Sequence, residues 1–183
     1  MNITINLTDR ASKFIINNLY PLYLHDLSEI WGTIPNRYGV FEEDETQTLQ
    51  EQNKVFDIWW EKAGILYPYL IKENDIPVGF ALVATPPYTP SACEFYLNEF
   101  FILRPYRGKG IAEYAAKEVF KLHLGNWELQ TNPTDTNRRA QYFWRKTLKE
   151  YTGDSYLEEC GKSYDGELKM IFTFNNQSEL SNP

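Results

Sequence analysis

The run Phe100-Phe101-Ile102-Leu103-Arg104-Pro105-Tyr106-Arg107-Gly108-Lys109-Gly110-Ile111-Ala112 decides how the rest of the chain is read. Its first residues end an apolar stretch, Cys93 to Leu103, that is the longest strand candidate in the sequence. Its last residues open a segment, Ile111 to His123, in which Ala115, Val119 and Leu122 recur at helical spacing. Between them lies a basic loop with two glycines, Gly108 and Gly110, where missing side chains let the backbone turn and approach a ligand closely. The first turn of the helix adds free N–H groups and the positive end of its dipole. With Arg107 and Lys109 alongside, strand, loop and helix make a cradle for a pyrophosphate. The loop lacks the GxxxxGK[ST] pattern of a Walker loop and the third glycine of a dinucleotide-binding GxGxxG turn.

Working outward, Ile3, Ile5 and Leu7 alternate with polar residues as a strand. A helix is expected over about Arg10 to Ile30, capped by Thr8 or Asp9, with Phe14, Ile15, Leu19 and Leu22 facing inward and Pro21 bending or dividing it. Gly32 to Gly39 reads as loop, and a second helix is expected from about Thr46 to Ala63. Leu66 to Leu70 and Val78 to Ala84 flank the polar turn Lys72-Glu73-Asn74-Asp75, a hairpin pattern. The proline-rich run Thr85 to Pro90 is a connection. After the loop and its helix come a short strand (Trp127 to Thr131), another helix (Asn137 to Lys149) and two closing strands, Tyr156 to Glu159 and Leu168 to Phe174. Strands and helices are mixed, which gives an α+β domain on one sheet, residues 1–174, with a polar C-terminal tail, 175–183.

The 183 residues suit one domain. Their net charge of −7 and pI of about 4.9 argue against a nucleic-acid binder. That sum hides a split: Arg104 to Glu150 carries 10 basic and 5 acidic residues, or +5, and the remainder −12. Cys93 and Cys160 form no CxxC pair and read as core fillers in a reducing compartment, and His25 and His123 lack metal-ligand spacing. With no apolar run of ~20 residues and no signal-peptide layout, the expected location is cytoplasmic, without a membrane partner.

Residues 107–112 read Arg-x-x-Gly-x-Ala, which closely resembles the acetyl-CoA-binding motif of the GNAT superfamily of N-acetyltransferases. A second block, Asn137-Arg138-Arg139-Ala140-Gln141-Tyr142-Phe143-Trp144-Arg145-Lys146, is similar to the family's Asn-x-x-Ala-x-x-Phe-Tyr-x-Lys segment. The order of elements follows the family over roughly residues 3–174, which implies a twisted mixed sheet of about six to seven strands flanked by about four helices. The resemblance implies acetyl-CoA as cosubstrate, with no metal. Its phosphates would lie on Arg107, Gly108, Lys109, Gly110, Ile111 and Ala112, and its pantetheine arm would pair with the backbone of Phe101, Ile102 and Leu103 like an added strand. Asn137 would contact the cofactor, and it also fits a helix N-cap. Arg138 and Arg139 are expected beside the nucleotide.

The implied reaction is direct transfer of the acetyl group to a primary amine, with backbone N–H groups stabilising the oxyanion. The amine must first lose a proton, and Glu99, near the end of the central strand, is the leading general base. Glu94 is an alternative, although its odd separation puts it on the other face. Trp144 replaces the tyrosine that in relatives protonates the departing thiolate. Tyr156, Tyr151 or solvent are the remaining acids. The acidic run Glu42-Glu43-Asp44-Glu45, with Asp154, Glu158, Glu159 and Asp165, suggests a small-molecule or peptide amine acceptor that is cationic. Trp59, Trp60, Tyr67, Tyr69 and Tyr88 read mainly as core, with an acceptor pocket as their other use. Dimers are common in the resembled family, so a homodimer is an expected assembly. The competing function is a non-catalytic acyl-CoA-binding module of the same fold, kept open by Trp144.

Overall fold

Seven strands form, alternating in β1 and continuously apolar in the central β3: β1 (Ile3–Leu7), β2 (Leu66–Glu73), β3 (Ile76–Ala84), β4 (Phe95–Ile102), β5 (Asn126–Thr131), β6 (Tyr156–Lys162) and β7 (Leu168–Asn175). In the computed structural model, which describes residues 2–42 and 44–177, they make one sheet in the order β1-β2-β3-β4-β5-β7-β6. The helices are α1 (Lys13–Trp31), α2 (Leu49–Gln52), α3 (Ile58–Glu61), α4 (Ile111–Lys121) and α5 (Arg138–Thr152). The architecture is α+β, as the order of sequence elements suggested. The β2–β3 hairpin turns on Asn74 and Asp75, whose φ values of 48° and 64° suit a two-residue turn matched to strand twist.

The sheet separates two cores. On one face, Ile111, Ala115, Val119 and Phe120 of α4 and Trp144 and Leu148 of α5 pack on Trp127, Leu129 and Phe172. On the other, Ile16, Leu19 and Tyr20 of α1 and the Trp59–Trp60 pair of α3 pack on Leu70, Phe80, Leu82 and Phe101. Two irregularities of β4 position the site. First, its one parallel partner, β5, pairs only at Phe95↔Trp127, Tyr96↔Glu128 and Leu97↔Leu129. Beyond Leu97 the two strands part, and the β5-facing edge of residues 98–102 is open. Second, β3 pairs Leu82 with Glu99 but Val83 with Leu97, so Asn98 is an extra, bulged residue. The bulge reverses the alternation and turns Glu99 to the α1 face, shared with Tyr96 and Phe101. Behind this edge β3 must lie very close, for a Cβ at Gly79 would meet the Phe101 carbonyl oxygen at 2.0 Å.

Several local expectations differ. The first helix starts at Lys13 with Ser12 as N-cap, and Asp9 braces the turn before it by accepting from the Ser12 backbone N–H at 2.8 Å. It continues unbroken through Pro21, and it buries Ile16, Leu19 and Tyr20. Phe14 and Leu22 are exposed. The second helix is three short pieces, α2, a 3-10 turn over Asn53–Asp57, and α3, begun by a capping box of Thr48 and Glu51. Cys93 is buried but Cys160 lies exposed on β6. Asn175 closes β7, and the buried side chain of Asn176 accepts from the Gly125 N–H and donates to the Phe120 carbonyl. The ordered domain therefore runs past residue 174; residues 178–183 of the expected tail lie outside the described residues. Among the described residues no helix is long and apolar enough to cross a membrane.

Candidate active site

After β4, a 3-10 turn over Arg104–Tyr106 leads into the glycine loop, and the loop into α4. Gly108 and Gly110 adopt left-handed φ values of 73° and 79°, and a Cβ at either would meet nothing within 4 Å. The glycines are thus required by backbone conformation, and they leave open space beside the loop. Gly110 is the N-cap of α4 and provides no side-chain cap, so the helix end points unsatisfied N–H groups into that space. Fully buried Ile111 anchors the helix below, with Ala112 packed on the same core. Uncapped donors, open space and the helix dipole together fit the diphosphate of a CoA-type cosubstrate. Of the residues expected to pair with a pantetheine arm, Phe101 and Ile102 are buried, and the Leu103 N–H is already given to the Val78 carbonyl at 2.8 Å.

Arg107 is not free to serve that cradle with its side chain. Its Nε donates to the Ile102 carbonyl at 2.6 Å, and its guanidinium pairs with Asp26 of α1. Asp26 also accepts from Arg104 Nε at 2.7 Å. Lys109 reaches across the Tyr106 ring, 5.6 Å from its centroid. Asn137 stands at the N-cap of α5 without making a side-chain cap bond. Its amide instead donates to Thr131 Oγ1 at 2.8 Å and the Asn132 carbonyl at 2.9 Å, tying the end of β5 to the helix.

Glu99 sits on the open part of β4. Protein surrounds its carboxyl, yet the side chain keeps partial access to solvent. Burial pushes its pKa up to about 7, against the opposing pulls of a Tyr23 hydrogen bond and the charge of Lys169. Tyr23 of α1 donates its hydroxyl to Glu99 Oε2. The Tyr23 hydroxyl is itself held well above its ordinary pKa, first by burial and then by the Glu99 charge. A carboxylate that titrates near neutrality and keeps partial solvent access is suited to accept a proton at physiological pH. Tyr96 and Tyr20 complete the surroundings, both with hydroxyls shifted up by burial and by Glu99. Tyr23, Tyr96 and Lys169 were not singled out in the sequence; helical spacing gives Tyr23 and Asp26 one face of α1, but nothing in the sequence pairs that face with β4.

Other expected residues fall elsewhere. Tyr156 begins β6 on the rung Phe95–Trp127–Phe174–Tyr156, at the end of the sheet away from the β4–β5 opening, and its ring packs toward Phe172. Tyr151 packs on Phe120 and Phe174, with its hydroxyl beside Asn176. Neither is brought to Glu99. Glu94 precedes β4 and accepts from the Asn126 N–H at 2.8 Å, bracing the start of β5. Trp144 is buried against Phe100 and Phe143. Of the acidic positions, Glu42 lines a cavity beside α1 and Asp165 stands 3.5 Å from Lys169. Glu158 pairs with Arg145 and Asp154 with Lys149, so both belong to the α5 side; Glu43 lies outside the described residues. Trp59, Trp60 and Tyr69 are core residues.

The model of the acetyltransferase (GNAT) family matches residues 18–149. A comparison with curated proteins returns no match. Among solved structures, an acetyltransferase from Thermus thermophilus is 14% identical, covering 96% of this chain and 98% of its own, with a TM-score of 0.63. The aminoglycoside acetyltransferase AAC(6')-Ib, solved with coenzyme A and kanamycin, is 14% identical over 99% of both chains, with a TM-score of 0.64. A spermidine N-acetyltransferase chimera from Vibrio cholerae and hSSAT is 13% identical over all of both chains, with a TM-score of 0.59. At these identities the likeness is one of fold.

Proposed function

Because the chain belongs to the acetyltransferase (GNAT) family, we propose that it moves an acetyl group from acetyl-CoA to the nitrogen of a primary amine that is cationic in solution. The observation that carries this reading is Glu99, a partly accessible carboxyl with a pKa near 7 at the point where β4 and β5 part. In this mechanism the Gly108–Ala112 backbone binds the diphosphate, and Asn137 fixes the β5–α5 corner beside it. The open edge of β4 holds the pantetheine arm through main-chain hydrogen bonds and turns N–H groups toward the thioester carbonyl. Glu99 takes the proton from the ammonium, directly or through a water, and Tyr23 keeps one carboxylate oxygen oriented. The thioester supplies a thiolate, a far weaker base than an alkoxide (a free cysteine thiol has a pKa of about 8.5), and it departs without a tyrosine acid. Solvent is therefore our choice of proton donor, since Tyr151 and Tyr156 lie away from Glu99. The two free thiols are consistent with a reducing, cytoplasmic setting.

The competing reading is a non-catalytic acyl-CoA-binding module, favoured by the buried Trp144 where relatives carry tyrosine. Thiol release from acetyl-CoA, followed across polyamines, amino sugars, aminoglycosides, arylalkylamines and lysine peptides, separates the two. The enzyme reading expects turnover with at least one class and loss of it in Glu99→Gln. Calorimetric binding of CoA with no turnover on any amine would establish the module instead.

A further inference from the structure

A cavity of about 320 Å3 lies between the C-terminal half of α1 and the loop that follows it. Its wall is apolar: Leu24, Leu27 and Trp31 recur along one face of α1, and Ile34 and Phe41 close it from the loop. Thr33 also lines it, and Glu42 is its one charged lining residue among the described residues. Both ends border the surroundings of Glu99. The charge of Glu42 acts on Tyr20, as does that of Glu99. At the other end Trp31 carries the ammonium of Lys169 on its ring, 4.2 Å from the centroid, and Lys169 acts on Glu99. The Lys169 side chain is only 14% exposed, and the Asp165 carboxylate stands 3.5 Å from its ammonium.

These features discriminate among amines. An acceptor with one ammonium and an apolar body can put its amine toward Glu99 and bury its body against Leu24, Leu27 and Trp31. An acceptor with several ammonium groups gains nothing from that wall, because each further cation placed against it would lose hydration without an apolar contact in return. We infer that the cavity lined by Leu24, Leu27, Trp31, Ile34, Phe41 and Glu42 is the acceptor subsite, and that it takes a monoamine with an aryl or branched-alkyl body rather than a polyamine or an aminoglycoside. A volume near 320 Å3 accommodates a group of that size. This inference rests on the acetyltransferase reading, and it narrows the acceptor within the cationic amines.

The test compares phenethylamine with spermidine. With acetyl-CoA saturating, the expected kcat/KM for phenethylamine exceeds that for spermidine at least tenfold. Ile34 is 85% exposed, so Ile34→Asp leaves the core untouched; it is expected to raise the phenethylamine KM about tenfold while the acetyl-CoA KM stays within twofold. Preference for spermidine, or a phenethylamine KM indifferent to Ile34→Asp, would overturn the subsite while leaving the acetyltransferase intact. If no amine is turned over, the acetyltransferase reading falls. Calorimetry of phenethylamine on the CoA-bound protein then decides the cavity alone, with binding lost in Ile34→Asp supporting it and no binding rejecting it.

Discussion

A carboxylic acid enclosed by protein loses hydration that its charged form needs, and it holds its proton to higher pH. Glu99 is in that position, with a pKa pushed up to about 7 from an ordinary 4.5. Only its carboxylate can take a proton, so kcat/KM is expected to rise with pH along a limb centred near 7. In Glu99→Gln the rate is expected to fall about 10²–10⁴-fold and the limb to disappear. Tyr23 stabilises the charged form, so Tyr23→Phe is expected to move the limb upward in pH; an unmoved limb would deny Tyr23 that role. The same shift bears on stability. The folded state binds the Glu99 proton more tightly than the unfolded state, so stability falls as pH rises from about 4.5 through 7. At about 1.4 kcal/mol per pH unit, the full penalty is on the order of 3 kcal/mol above pH 7. Glu99→Gln is therefore expected to melt higher than the parent at pH 8, with the difference shrinking toward pH 5, as calorimetry across that range would show.

At the scale of elements, the glycine loop is the part most dependent on backbone conformation. Gly110 sits at a left-handed φ with open space where its Cβ would be. Gly110→Glu is expected to place a carboxylate in the anion cradle and lower CoA affinity more than tenfold. The strain of a side chain there costs only about 1–2 kcal/mol, so the melting curve stays cooperative. Gly79→Ala is expected to do the reverse, because its Cβ collides with the Phe101 carbonyl and the β3–β4 pairing itself must yield. Circular dichroism and CoA titration of the two variants separate a binding defect from a folding defect. Element order was legible because strand and helix periods differ and because glycine, proline and Asn-Asp turns punctuate them. The loop was legible for the same reason. What stayed hidden was long-range. Parity counting along β4 assumes an unbroken alternation, and the bulge at Asn98 breaks it. The buried face of α1 was misread because Phe14 and Leu22 are apolar without being covered, while Tyr20 and Tyr23 are polar-tipped yet enclosed. Nor could the chain order announce that Tyr23 meets Glu99 or that Asp26 meets Arg107.

Across the whole molecule, charge is distributed less freely than its formula suggests. The segment Arg104 to Glu150 is formally +5, but most of its cations are engaged. Arg104 and Arg107 hold Asp26, Lys117 holds Glu150, Lys121 holds Glu118, Arg138 holds Asp135, Arg145 holds Glu158, Lys146 holds Glu113, and Lys149 holds Asp154. Lys109 and Arg139 are the two basic side chains of the segment outside any such pair among the described residues. One lies in the glycine loop and the other in the first turn of α5. If CoA phosphates are attracted by side-chain charge, these two supply it, and backbone donors do the rest. Lys109→Ala and Arg139→Ala are each expected to weaken CoA binding about three- to tenfold at 50 mM salt, with the loss shrinking at 500 mM as screening removes what the mutation removes. Lys117→Ala, whose charge is spent on Glu150, is expected to change CoA affinity less than twofold. Titration calorimetry at the two salt concentrations checks this. A Lys117→Ala loss equal to the other two would mean that the net charge of the segment, rather than its two unpaired cations, draws the cosubstrate in.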